Sequence, residues 1–161
     1  MHEKLLALPG TVEVLVDGKP LAGPAGTAGG KLYRICAAVP GRPAARTYHV
    51  LYALADEAAA QAYWAANAEH IAEHGTLQRE AAGKRWYARP QRQLASNSDE
   101  VNAAMARVQA ALVVWQEGAL LHKLFCSEVA ESTDAAHIKA AQRRAAERCA
   151  ELIAPEPAPT T

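Results

Sequence analysis

The stretch GKRWYARPQRQ, residues 83–93, combines positive charge with aromatic rings and contains no acidic residue. The residues expected to meet a partner there are Lys84, Arg85, Tyr87, Arg89 and Arg92. On a strand, Arg85, Tyr87 and Arg89 share one side and Trp86 takes the other, which favours a core position for Trp86. Such a surface suits phosphate groups, stacked bases or an acidic protein. The alternative is a solvated strand edge, where arginines discourage edge pairing.

Two pairs of residues have spacing that could serve a metal ion. His70 and His74 lie four apart, and so do His122 and Cys126, so each pair would share one face of a helix. A protein zinc site needs at least a third ligand, and the sequence places none nearby. We therefore predict no metal site.

Nucleophilic catalysis has one weak candidate. Cys36 lies in one predicted strand and His49 in its predicted hairpin partner, so the two could be neighbours across a sheet, as a nucleophile and its base must be. The glycine-rich stretch GPAGTAGG is not followed by the Gly-Lys-Ser/Thr of a phosphate loop. We predict no catalytic residue and no cofactor, and a non-enzymatic role is favoured.

The first half of the chain has the pattern of strands around one helix. TVEVLV alternates apolar and polar residues, and KLYRICAAV and RTYHVLYAL flank the turn signal PGRP. A helix follows from Asp56, its candidate N-cap, to a C-terminal cap at Gly75. TLQRE and KRWYARP, on either side of AAGK, predict a second hairpin.

The second half reads as two helices. Ser98 is the candidate N-cap of the first, whose apolar positions step by four and three through Val108, Leu112 and Trp115. A second stripe runs from Ile138 to Leu152. The predicted fold is α+β, a small antiparallel sheet with one packed helix followed by a C-terminal helical hairpin.

The predicted organisation has three parts. Residues 1–95 form the α+β unit, 96–154 the helical hairpin and 155–161 a disordered tail rich in proline. The hairpin packs either on the sheet or on a second copy through Val108, Leu112 and Trp115, which predicts a homodimer as one alternative.

The composition predicts the cellular location of the protein but indicates no class of partner. The chain of 161 residues carries 17 basic and 17 acidic side chains, so its net charge indicates neither a nucleic acid nor a membrane. Three cysteines without framework spacing, no signal peptide and no apolar run long enough to span a bilayer predict a cytoplasmic protein without membrane contact.

The neutral total conceals a separation of charge along the chain. Residues 18–55 contain five basic residues, Arg34 and Arg46 among them, and no acidic one, whereas the helix that follows carries only acidic charges. If the helix covers one face of the sheet, the other face or the rim is positive, which adds Arg34 and Arg46 to the predicted docking surface.

The segment TYHVLYALADEAAAQAYWAANAEHIAEHG, residues 47–75, resembles the strand-then-helix unit of small dimeric α+β barrel proteins. Some members of that family bind or transform small molecules, so the resemblance implies an apolar pocket, here near Cys36, His49 and Tyr52. The repeat of the unit that the family shows is absent from this chain.

Three functions remain open at this point. The first is a small regulator or inhibitor that docks on a protein or nucleoprotein target through the basic and aromatic strand surface. Small accessory proteins of mobile elements are an analogy for such a protein. The second is direct binding of nucleic acid by the same surface, with steep salt dependence. The third is a small-molecule-binding or enzymatic α+β barrel-like protein.

Overall fold

The structure is a computed structural model, and it describes residues 1, 12–16, 31–39, 41–73, 75–90 and 98–154. The strands of this part are β1 (Val12–Val16), β2 (Lys31–Val39), β3 (Arg42–Ala53), β4 (Thr76–Ala81), β5 (Lys84–Pro90), β6 (Val108–Glu117) and β7 (Leu120–Val129). The helices are α1 (Glu57–Ala72), α2 (Asp99–Ala106) and α3 (Ala135–Ile153). The α+β class predicted from sequence is confirmed.

All described strands join one antiparallel sheet in the order β1-β2-β3-β7-β6-β5-β4. Both predicted hairpins form, β2 with β3 and β4 with β5. The last hairpin, β6 with β7, inserts between them, so that β3 pairs with β7 and β5 pairs with β6. Strands from either side of residue 95 therefore belong to the same sheet.

The C-terminal helical hairpin predicted for residues 96–154 is not what the chain forms. Among residues 98–154, which the structure describes, only α2 and α3 are helical, and the two strands β6 and β7 at the centre of the sheet lie between them. Gly118, with φ of 58°, occupies the turn between the paired residues Glu117 and Leu120. A positive φ at the first position of a two-residue loop suits a tight hairpin and favours glycine.

Helices α1 and α3 cover opposite faces of this sheet. Val113 packs in one apolar cluster with Ala145 and Cys149 of α3, whereas its neighbour Val114 packs in a second cluster with Tyr63 of α1. Since successive side chains of a strand point to opposite faces, the two helices lie on the two sides of β6. Burial on both sides makes β6 and β7 the core of the molecule.

The predicted N-terminal caps of α1 and α2 form, but the predicted C-terminal cap of α1 does not. Asp56 caps α1 by accepting a hydrogen bond from the Ala59 amide, and Ser98 caps α2 by accepting one from the Val101 amide, as predicted. The C-terminal cap of α1 is Glu73, with φ of 50°, and not Gly75. Gly75 instead lies in close contact, since a Cβ there would approach the Ala72 carbonyl oxygen to 2.9 Å.

The predicted dimer seam does not exist as a helical stripe. Val108, Leu112 and Trp115 all lie on β6, where Leu112 and Trp115 are buried and point to opposite faces. The predicted tail at 155–161 lies outside the described residues. None of the described helices is both long and apolar enough to cross a membrane.

Candidate functional site

A cleft of about 600 Å³ opens on the face of the sheet that carries α1, beyond the C-terminal end of that helix. Its charged and polar lining is Arg34, His70, Glu73, Arg89, Lys123 and Ser127, and its apolar and aromatic lining is Tyr48, Val50, Tyr52, Val108 and Phe125. Helix α1 therefore covers only part of this face, and the remainder is the floor of the cleft.

The register of three adjacent strands sets the floor. Arg34 of β2 pairs with Val50 of β3, and Val50 pairs in turn with Lys123 of β7, so these side chains stand in one row across the sheet. The next row carries Tyr48 and Phe125, whose rings meet edge to face with centroids 5.7 Å apart. Cationic side chains thus alternate with aromatic and apolar ones over the floor.

The carboxylate of Glu73 connects the two cations that the cleft buries most. One of its oxygens contacts the Lys123 ammonium, and the other lies 2.7 Å from Nη1 of Arg89. The side chains of Lys123 and Arg89 are only 6% and 17% exposed. Because Glu73 is the residue that ends α1, the end of the helix brings the counter-charge to the sheet.

One hydrogen-bond donor of Arg89 has no acceptor among the described residues. Its Nε is buried and has no hydrogen-bond partner among the described residues, while its guanidinium lies 5.6 Å from the centroid of the Phe125 ring. A buried guanidinium donor without an acceptor costs free energy, so the site is suited to an oxyanion that would accept from it.

Burial shifts the pKa values of two side chains in the cleft, Lys123 and Tyr52. It lowers the pKa of Lys123, and the nearby positive charges of Arg89 and Arg34 lower it further, whereas the hydrogen bond and charge of Glu73 act in the opposite direction. Burial also raises the pKa of Tyr52 to about 12, with a smaller contribution from Tyr63, so its phenol is neutral at physiological pH. Among the described lining residues, Arg34, Arg89 and Lys123 face the single carboxylate of Glu73, which gives the cleft an excess of positive charge.

The structure separates the residues of the predicted docking surface. Arg34 and Arg89 are 55 positions apart in the chain, but both line the cleft on the same face of the sheet. Tyr87 shares that face and packs against the cluster under α1. Arg46 lies on β3, a strand of the cleft floor, but is not part of the lining, and its Nη1 donates to the Ala45 carbonyl.

The remaining members of that surface lie elsewhere. Arg85 stacks over Trp64 at 5.0 Å and pairs with Glu80 at 3.5 Å. Lys84 alternates to the other face, where its ammonium lies 5.9 Å from the Trp115 ring. Trp86 is half-buried and packs against the cluster under α3, so it faces the core as predicted. Arg92 lies outside the described residues.

The candidate dyad and the candidate metal pair of His122 and Cys126 are not assembled. Cys36 pairs with Tyr48 and His49 with Ile35, so Cys36 and His49 point to opposite faces. His122 and Cys126 lie on a strand, where a separation of four residues is about 13 Å, too far for one ion. His74 lies outside the described residues, and those that are described contain no group of three ligands suited to a metal.

The structure instead brings two buried histidines, His49 and His122, into contact. Nε2 of His49 and Nδ1 of His122 lie 3.1 Å apart, and the His122 ring stacks on Trp115 with centroids 4.7 Å apart. The pairing follows from β3 and β7 being neighbours, which sequence reasoning did not anticipate.

Sequence reasoning also missed Lys123 and Glu73 as members of a site. The available signal was a single lysine inside the apolar run LLHKLF, since a lysine is rarely buried without a partner. The chain matches no protein-family model, no curated protein and no solved structure. The cleft is interpreted from its own residues.

Proposed function

We propose that the protein binds a small organic anion in the cleft, one that joins a carboxylate or phosphate to an aromatic or apolar body. The observation that supports this most is the unpartnered Nε of Arg89, buried in a cleft with more positive than negative charge. The proposal corresponds to the third function left open by the sequence, in its binding form.

The shape and lining of the cleft agree with such a ligand. Its volume of about 600 Å³ is in the range of small-molecule sites, which combine mostly apolar walls with a few placed polar groups. Arg34 and Arg89 supply planar donors for an oxyanion. Tyr48 and Phe125 supply an aromatic wall for the rest of the molecule.

Calorimetric titration with phenylpropionate tests the proposal, with its neutral amide as the matched ligand. We expect the carboxylate to bind and the amide to bind at least about tenfold more weakly, since charged hydrogen bonds contribute about 1.5–3 kcal/mol. Arg34→Gln, which removes an exposed cation of the cleft, should weaken phenylpropionate about tenfold. Arg143→Gln is the control, because Arg143 is 75% exposed on α3 and lies on the other side of the sheet. Equal binding of acid and amide, or equal loss in both variants, would contradict the proposal.

A macromolecular partner is the second candidate, favoured by the exposure of Tyr48. This tyrosine is 40% exposed beside the exposed Arg34, and tyrosine with arginine is a frequent combination at binding hot spots. The role would be that of a regulator or inhibitor held by a protein or nucleoprotein target, with direct nucleic-acid binding as its alternative. A pull-down with Arg34→Glu beside Arg143→Glu tests it. A partner that survives nuclease and is lost only with Arg34→Glu supports protein docking, and capture lost to nuclease supports nucleic acid.

The homodimer and the cytoplasmic location stay predictions. Light scattering at micromolar concentration tests the first, and a monomer there would remove it. Fractionation of the source cells tests the second.

A further inference from the structure

We propose that Lys123 is the amine that captures the carbonyl group of an α-keto acid as an imine in the cleft. This inference rests on the proposed function and narrows its ligand class to small organic anions that carry a carbonyl beside the carboxylate.

The arrangement around Glu73 places an amine next to an oxyanion site. Nζ of Lys123 and Nη1 of Arg89 contact the two oxygens of one carboxylate, so a single carboxylate bridges the amine and the guanidinium. Nε of Arg89 is the buried donor without a described partner. An α-keto acid carries its carbonyl carbon directly beside its carboxylate, so its two groups suit an amine and a guanidinium that one carboxylate bridges.

The surroundings of Lys123 favour a reactive amine. A lysine is activated as a nucleophile when it is desolvated or close to another cation, and Lys123 is both, with Arg89 and Arg34 nearby. Both conditions lower the pKa of its ammonium. Glu73, in direct contact, is placed to accept the proton that the ammonium must lose.

The step is balanced without any further reactant. Glu73 first takes a proton from the Lys123 ammonium. The lone pair of the neutral amine forms a C–N bond to the carbonyl carbon, and the C=O π electrons move to oxygen, which takes that proton back from Glu73. One of the two protons on nitrogen then passes to Glu73 and leaves the carbinolamine. Glu73 delivers this proton to the hydroxyl, which departs as water while the nitrogen lone pair forms the C=N bond. The positive charge of the ammonium ends on the nitrogen of the protonated imine, neither oxidation nor reduction occurs, and Glu73 ends as a carboxylate.

Reductive trapping of the full-length chain with phenylpyruvate and sodium cyanoborohydride tests the inference. Mass spectrometry of the intact protein and of its peptides locates the adduct. We expect one adduct per chain, with more than half of it on Lys123 although the chain has six lysines. Lys123→Arg should abolish it, and Lys139→Arg, which alters an exposed lysine of α3, should leave it unchanged. An adduct spread over the other lysines would overturn the inference. Because this result is measured on the wild type, it decides the question even if Lys123→Arg fails to fold.

Phenyllactate separates the inference from the proposed function. It has the same carboxylate and ring but a hydroxyl in place of the carbonyl, so it binds the cleft without forming an imine. Phenyllactate binding together with no Lys123 adduct from phenylpyruvate would overturn the imine and leave the anion site standing. Failure of both ligands to bind in calorimetry would overturn both.

Discussion

Replacing Glu73 by glutamine tests the charge arrangement of the cleft most directly. Its carboxylate is the counter-charge described for Lys123 and Arg89, whose side chains are 6% and 17% exposed. Removing one partner from a fully buried ion pair costs about 3–5 kcal/mol. Because the Glu73 side chain is 36% exposed and glutamine keeps one oxygen as an acceptor, we expect a smaller loss, about 1–3 kcal/mol in the free energy of unfolding.

The loss should depend on pH in a definite direction. The pKa of Lys123 in the folded protein lies below its ordinary value of 10.5, mainly because of burial, and Glu73 opposes that lowering. A lysine with a lowered folded pKa destabilises the fold fully below that pKa, and the penalty disappears as the pH rises to the unfolded value. Glu73→Gln lowers the folded pKa further, so its cost should be larger near neutral pH than near pH 10.5.

Urea unfolding followed by tryptophan fluorescence measures these differences. Glu80→Gln is the control, because Glu80 and Arg85 are 56% and 39% exposed, and an exposed pair of this kind contributes about 0.5 kcal/mol or less. In a Lys123→Met background the effect of Glu73→Gln should shrink to that of the Arg89 pair alone. Equal losses for Glu73→Gln and Glu80→Gln, or a loss that does not change with pH, would refute the reasoning.

Three further substitutions test the fold by the same unfolding measurement. Leu124→Ala empties a fully buried position of the cluster under α3 and should cost about 2–5 kcal/mol; a loss below 1 kcal/mol would contradict the central position of β7. Gly75→Ala brings a Cβ to 2.9 Å from the Ala72 carbonyl oxygen and 3.1 Å from Cβ of Tyr87, so it should cost about 1–3 kcal/mol through backbone movement, and no change would exclude this contact. Asp56→Ala removes the 2.7 Å cap of α1 and should cost about 1 kcal/mol, whereas Asp56→Ser should restore most of it.

The first half of the fold could be predicted because its signals are local. The strands of both hairpins are bounded by turn residues, and α1 begins at an aspartate whose side chain binds the amide three residues later. Each of these features depends on neighbours in the chain, which a single sequence contains in full.

The last hairpin could not be predicted in this way because both of its faces are covered. Residues 109–115 of β6 are all buried, so the strand has no alternation of polar and apolar positions. A continuous apolar run rich in alanine fits a buried helix equally well, and the steps of four and three from Val101 to Trp115 strengthened that interpretation. The usable signal was Gly118, which stands between two stretches of ten residues each, those that form β6 and β7.

The cleft was only partly predictable because it is assembled from distant segments. Arg34 and Arg89 were identified from local charge, but their meeting depends on the insertion of β6 and β7 between the two outer hairpins. The same insertion brings Lys123 to Glu73. Lys84 stays out of the cleft because it points to the other face, and Arg85 because it stacks over Trp64 of α1. Charge along the chain identified the types of residue involved, and strand order decided which of them meet.

The position of Lys123 is a second reason, beside the unpartnered Nε of Arg89, to propose a binding function for the cleft. The lysine lies in the middle of a central strand, where an apolar side chain of similar length would avoid the cost of burying a charge. Replacing a buried ion pair by well-packed apolar residues is often neutral or stabilising, so stability alone does not account for Lys123, Glu73 and Arg89 at this place. Arg89 strengthens the point, because its second buried donor has no described acceptor and such a donor lowers stability. A group of charges that stabilises the fold little and faces an open cleft is what a binding site for an anion requires.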